Sequence, residues 1–283
     1  MKNYTLKTIV VPTDFSESAD KALQHAIELC KTTNSKLVIV NVVELNLITV
    51  PAEMMSLGII TEEMIQISKI SLDKLSEKIK AEHNISIESE NYIGNVHDNI
   101  IKAAEAFKAD LIIMGTHGAS GIKEWLFGSN AFSVVNNTSI PVLTINLHSK
   151  TTNNFKKIVF PFNENLLTLQ KVEQVTVLAT SFKSSIFLLG YTTNENSNDI
   201  ESIQLKGKHL SEQFANENIE CSFSMVHGED YADTILKFAN DTNADLITIV
   251  SNRNHNVDKV FKTKPDKKLV NHSVIPVLSV PVE

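Results

Sequence analysis

Residues 109–131 read ADLIIMGTHGASGIKEWLFGSNA, and the fold follows from how this stretch is divided. Leu111-Ile112-Ile113-Met114 is a short continuous apolar run. Such a run marks a strand buried on both faces, as in a parallel sheet covered by helices on either side. The run stops at Gly115; further glycines follow at Gly118 and Gly128, giving the spacing G-x2-G-x9-G-S with Ser129. Ser129 has the chemistry of an N-cap, and Ala131, Val134 and Val135 open an apolar helical face behind it. A strand that ends in glycines and returns to a helix start suits anions. Backbone N–H groups can approach closely where side chains are missing, and the helix N-terminus adds partial positive charge. Read alone, glycines and a serine in a connection are turn punctuation. The preceding strand and the following helix supply the context that phosphate-binding motifs require.

Outward from this stretch the chain alternates strands and helices. Thr8–Val11 predicts a first strand, ended by Pro12-Thr13-Asp14, with Ser16 and Ser18 as caps for a helix to about Lys31. Lys36–Val43 predicts a second strand, and Leu45–Ile60 an apolar excursion. A helix is expected from Thr61, a third strand over Ile85–Ile93, a helix over Asp98–Lys108 and a fifth strand over Ile140–Ile145. Alternation of this kind implies right-handed crossovers and a parallel sheet.

The polar stretch NLHSKTTNNF, 146–155, reads as a connection, and the pattern then restarts. KTIVVPTD at Lys7 matches KKIVFPFN at Lys156, an offset of 149 residues. ADLIIMG at Ala109 matches ADLITIV at Ala244, and IPVLTI at Ile140 matches IPVLSV at Ile275, both offset by 135, so the second copy is 14 residues shorter. Three matched blocks in one order make a tandem repeat. The expected division is a first domain over 1–147, a connection over 148–155 and a second domain over 156–283.

The spacing G-x2-G-x9-G-S resembles the ATP-binding signature of the universal stress protein family, matched by Gly115, Gly118, Gly128 and Ser129. The resemblance covers both copies and so nearly the whole chain. It implies two α/β domains, each a five-stranded, mainly parallel sheet of Rossmann-like type with helices on both faces. It further implies that the glycine segment wraps the ribose and phosphates of ATP, with any Mg2+ held by the phosphates. By the same resemblance Pro12, Thr13 and Asp14 lie at the nucleoside, and Val42 offers backbone groups to adenine. Met114, Gly115, His117, Gly118, Gly128, Ser129, Asn130 and Ala131 complete the implied site. On residues alone, Asp14 reads equally as a turn or capping residue, His117 as a solvent-facing loop histidine, and Trp125 as packing rather than an adenine stacker. The family's dimers imply that the two fifth strands pair within this chain, with a homodimer as a further expectation.

The repeat also exposes what one copy lacks. Asp14 corresponds to Asn163, and Gly115, Gly118, Gly128 and Ser129 to Val250, Arg253, Thr263 and Lys264. The second copy therefore reads as a degenerate domain. Its basic run, Arg253, Lys259, Lys262, Lys264, Lys267 and Lys268, reads as solvated surface rather than a new anion site.

Composition bounds the rest. With 283 residues, 42% hydrophobic and 21% charged, the chain has the make-up of a globular protein, and its formal net charge of −7 argues against nucleic-acid or anionic-membrane binding. No apolar run approaches a membrane span and no secretory leader is evident, so a cytoplasmic location is expected. Cys30 and Cys221 read as free thiols rather than a disulfide or metal site. No Walker A lysine, Ser/His/Asp set or metal-ligand spacing is visible, so no catalytic residue is assigned. The expected role is an ATP-binding sensor or regulator of stress response. A slow ATPase or phosphoryl or adenylyl transferase, and a nucleotide-free scaffold, are the alternatives.

Overall fold

The computed structural model describes residues 4–44, 59–116, 128–149, 154–193, 196–228, 230–252, 268–270 and 273–282. The expectations placed on His117, Gly118, Trp125, Arg253, Lys259, Lys262, Lys264 and Lys267, and on nearly all of the 45–60 excursion, lie outside these residues.

The first half runs β1 (Thr8–Pro12), α1 (Glu17–Thr33), β2 (Lys36–Val43), α2 (Ile59–Glu82), β3 (Ile87–Ile93), α3 (Val96–Ala106), β4 (Leu111–Gly115), α4 (Ser129–Asn137) and β5 (Val142–Ile145). The second half repeats the order with β6 (Lys157–Phe162), α5 (Val172–Phe182), β7 (Ser185–Thr192), α6 (Ser197–Asn216), β8 (Cys221–His227), α7 (Tyr231–Asp241), β9 (Leu246–Asn252) and β10 (Val277–Val282). A short 3-10 turn at Leu166–Leu169 stands where the first turn of α1 would be. The helix expected from Thr61 begins at Ile59, and the one expected from Asp98 begins at Val96 behind an Asn95 cap.

All ten strands form one sheet in the order β3-β2-β1-β4-β5-β10-β9-β6-β7-β8. The pairs within each half are parallel. At the centre β5 and β10 run antiparallel, Thr144 opposite Val277 and Val142 opposite Ser279. Each would otherwise be an apolar edge strand with unpaired backbone groups, a liability that pairing removes. The fifth-strand pairing implied by the family resemblance is therefore the one present.

The repeated Ala-Asp dipeptide ahead of β4 and β9 has a local reason. Asp110 Oδ2 accepts from the N–H groups of Lys7 and Thr8, 2.7 and 2.9 Å away, while its own N–H donates to the Thr8 carbonyl. Asp245 does the same for Lys157 in the second half. These clamps set the stagger between the first and fourth strands of each copy.

Alternating strand residues divide the core into two layers. Ile9, Val11, Leu37 and Ile39 point to the face covered by α1 and α2, and Ile158, Phe160 and Phe162 point to the face covered by α5 and α6; together they make one continuous cluster across both halves. On the opposite face Val10, Val38, Val40, Ile112 and Met114 pack under α3 and α4, and Val159, Ile247 and Ile249 pack under α7 as a separate cluster. Cys30 and Cys221 are free thiols, as expected.

Candidate functional site

The chain moves outward from β1 through β2 to β3, then returns to the other side of β1 for β4 and β5. The order thus reverses between β1 and β4, and at such a point the loops leave the sheet in opposite directions and open a crevice at the carboxyl ends of the strands. Pro12-Thr13-Asp14 leave β1 here, and Met114-Gly115 end β4.

Pro12 pairs opposite Val40, and the Thr13 N–H extends the ladder to the Val40 carbonyl at 2.8 Å. The chain then turns sharply. Thr13 Oγ1 accepts the Phe15 N–H at 3.0 Å, Asp14 Oδ1 accepts the Ser16 N–H at 3.1 Å, and Phe15 takes the left-handed φ of 62°. Few non-glycine residues adopt that conformation, and it must be held by its surroundings. Ser16 Oγ caps α1 through the Ala19 N–H, whereas Ser18 is buried inside the helix. Asp14 is exposed at the crevice. The Asp20 carboxyl, one helical turn into α1, is held above its usual range by burial and by the carboxylates of Asp14 and Glu17, with Lys78 opposing.

On the β4 side Met114 is buried in the core beneath α4, and the Thr116 N–H donates to the Ile145 carbonyl at 3.0 Å. The Gly128 N–H donates to the Thr116 carbonyl at 2.7 Å, so the chain leaves the strand at Thr116 and re-enters a helix beside the same point. The cap of that helix corrects the sequence reading. Gly128, with φ −55° and ψ 129°, is the N-cap residue and has no side chain to cap with, and Ser129 is the first residue of α4. A serine one position inside the helix no longer has the extended backbone that lets its hydroxyl reach back to the N–H groups of the first turn. At this helix start Ser129 is exposed, Asn130 half-buried and Ala131 anchored in the core, and a helix's first-turn N–H groups have no partner within the helix itself.

Gly115 has a reason that the motif did not announce. A Cβ there would lie 2.3 Å from Ser18 Oγ and 2.8 Å from the Ser18 carbonyl oxygen, so its bare backbone lets the start of α1 rest on the end of β4. Val42 lies near the carboxyl end of β2, half-buried and paired with Tyr92 of β3. The structure thus places Pro12, Thr13 and Asp14 at the end of β1 and Gly115 at the neighbouring end of β4, with Gly128 bonded to Thr116 beside it, Ser129 and Asn130 following in α4, and Val42 one strand further out on β2.

The same place in the second half is built otherwise. Asn163 is buried, its side-chain oxygen accepting the Asn165 N–H, and Val250 is buried where Gly115 stands. Lys171, the counterpart of Ala22, is 1% exposed; its amine donates to the Pro161 and Thr168 carbonyls and lies 4.2 Å from the Phe160 ring centroid. Lys206 reaches over the turn to the Asn163 and Glu164 carbonyls. Of the basic run, Lys268 is paired with Asp230, the N-cap of α7, and with Asp233 in its first turn, at 3.2 and 2.7 Å.

Sequence reading missed the polar side chains beneath the turn. Asn41, Ser68 and Asn91 meet there, and the signal available was the change of Asn41 to Gly190 between the copies.

A doubly wound sheet with its crevice at the switch point defines an open α/β protein whose ligand position lies at the carboxyl ends of its strands. The universal stress protein family matches residues 5–146 and again 154–281, and the chain belongs to that family in tandem form. Universal stress protein MJ0531 of Methanocaldococcus jannaschii is 35% identical over 140 residues, which cover 49% of this chain and 81% of that protein. A crystal structure of a universal stress protein from Archaeoglobus fulgidus superposes with a TM-score of 0.77 at 18% identity, covering 98% of this chain and 97% of that one, which establishes the two-copy fold. A solved universal stress protein in complex with cAMP is 25% identical, covering 50% of this chain and 98% of its own, with a TM-score of 0.37. Among the described residues no helix is long and apolar enough to cross a membrane, and no cluster of metal-ligating side chains occurs.

Proposed function

We propose that residues 1–147 bind ATP, that residues 156–283 form a degenerate partner domain joined through 148–155, and that the chain acts in the cytoplasm as a nucleotide-dependent regulator of stress response. The observation that carries this reading is the glycine-led start of α4, whose Gly128 N–H donates to the Thr116 carbonyl just past β4, the strand that pairs with β1 and its exposed Asp14. Donors at a helix start suit the phosphates, and a carboxylate at the neighbouring strand end suits the ribose hydroxyls. Pro12, Thr13 and Val42 would border the nucleoside, and Met114 and Ala131 would hold the frame from within. His117 and Gly118 enter through the motif alone.

Binding rather than turnover is the favoured activity. Among the described residues at the crevice, the Thr13 hydroxyl already accepts a backbone N–H, and no general base stands beside a nucleophile. Any Mg2+ would be held by the phosphates.

Calorimetry of the purified full chain tests the reading. One ATP per chain is expected, with binding abolished in Gly118→Arg, which copies the residue of the second half. Two equivalent sites per chain, or undiminished binding by that variant, would refute it.

A further inference from the structure

Beneath the turn that follows β1 lies a chain of polar side chains, buried at Asn41 and Ser68 and half-buried at Asn91. Asn41 on β2 is 6% exposed, and its Nδ2 donates to the Thr13 carbonyl at 2.7 Å. Its Oδ1 is 2.5 Å from the hydroxyl of Ser68 on α2, and that hydroxyl lies 2.9 Å from Oδ1 of Asn91, the register partner of Asn41 on β3. Buried amides and hydroxyls are costly unless bonded, so such a network fixes the geometry of whatever it touches. What it touches here is the carbonyl of Thr13.

The second half contains the same scaffold without the network. Offsets of 149 and 135 put Gly190 in place of Asn41 and Ile203 in place of Ser68. Strand register puts Met225 opposite Gly190, as Asn91 is opposite Asn41. A Cβ on Gly190 would come 2.5 Å from Ile203 Cγ2, so an apolar side chain fills the space that the amide takes in the first half. The turns differ too: Phe15 is left-handed at φ 62°, and its counterpart Glu164 is not. The fold therefore does not need these polar groups. The copy that keeps them is the copy that keeps Asp14 and the glycine motif.

We propose that Asn41, held by Ser68 and Asn91, is a positioning residue of the nucleotide site. Its amide fixes the Thr13 carbonyl so that the strained turn at Phe15 keeps Asp14 at the crevice. This inference rests on the nucleotide reading above.

The test is the full chain carrying Asn41→Gly, Ser68→Ile and Asn91→Met together, which transplants the packing of the second half. Amide exchange at Phe15 and Ser16 in nucleotide-free protein gives one readout, and calorimetric ATP affinity the other. The expected result is cooperative unfolding near the parent Tm, exchange at both amides at least about tenfold faster, and a Kd at least about tenfold weaker. Should the triple variant not fold, Ser68→Ala against Ser68→Thr carries the test. Only the threonine, which keeps the hydroxyl, should retain parent exchange and affinity. Unchanged exchange, or unchanged affinity in a folded variant, would overturn the proposal. A parent that binds no ATP while the variant's turn loosens would instead refute the nucleotide reading and leave the positioning of the turn standing.

Discussion

The imidazole of His25 lies flat against the ring of Phe155, centroids 5.9 Å apart and planes 9° from parallel, so that α1 of the first half meets the residue that leads into β6 of the second. His25 is 2% exposed and neither ring nitrogen has a hydrogen-bond partner. Phe155 in turn packs edge-on against Phe182. The contact is reinforced by Lys21, one turn earlier on α1, whose amine donates to the Leu147 and Ser149 carbonyls.

This burial makes the junction between halves sensitive to acid. The His25 pKa is lowered to about 4, first by burial and then by the Lys21 charge. The unfolded chain therefore takes up this proton first, near the ordinary histidine value of about 6.5. Stability contributed by the neutral ring is present above that value and is lost as pH falls toward 4, with a slope of up to about 1.4 kcal/mol per pH unit from this group. Denaturant unfolding at pH 7.5, 6 and 5 should show the loss. His25→Phe, which keeps the stack and removes two unpaired polar atoms, should flatten that limb and raise stability at neutral pH by about 1–3 kcal/mol. An unaltered pH profile in His25→Phe would show that other groups govern it.

Gly115→Ala should destabilise the protein without any ligand present. The added methyl meets Ser18 Oγ at 2.3 Å but also the Ser18 carbonyl carbon and oxygen at 2.9 and 2.8 Å. Removing the hydroxyl relieves only the nearest of these contacts, so Gly115→Ala/Ser18→Ala should remain less stable than Ser18→Ala alone by about 1–3 kcal/mol, the usual cost of overpacking. Thermal unfolding of nucleotide-free protein measures this, and a Tm equal to the parent's would contradict the close approach.

Residues 1–150 expressed alone should associate. Without the second half, β5 would present the Val142–Ile145 backbone that β10 now covers. Sedimentation should find a dimer or larger species, and a monodisperse monomer would count against the role given to that edge.

Neither thiol should react readily in the native state. Burial pushes the Cys30 pKa up to about 12 and that of Cys221 to about 11, the latter despite a hydrogen bond from Ser211. Little thiolate exists at neutral pH, so alkylation in buffer should be slow and should become rapid for both only in denaturant. Fast native labelling at Cys30 would mean that the α1 face opens more often than its packing suggests.

Local pattern made much of the architecture legible. Runs such as Leu111–Met114 and Lys36–Val43 announce doubly buried strands, and the repeated blocks at Lys156, Ala244 and Ile275 announce a second copy. The substitution of Val250 for Gly115 and Asn163 for Asp14 likewise shows in the sequence where the two copies differ. These are properties of neighbouring residues, or of one chain segment set against another, and a sequence carries them directly. What it did not carry were contacts between residues far apart in the chain. Ser129 has the chemistry of a cap, but the backbone angles at Gly128 give that place to the glycine. Gly115 reads as a phosphate glycine, yet its missing side chain also makes room for Ser18, 97 residues earlier. Asn41, Ser68 and Asn91 show no local pattern of their own, because each is an unremarkable polar residue until α2 and β3 bring it to the other two. Only the packed sheet decides that the three meet beneath Thr13, since a hydrogen-bond network is a fact of separation in space and not of spacing along the chain.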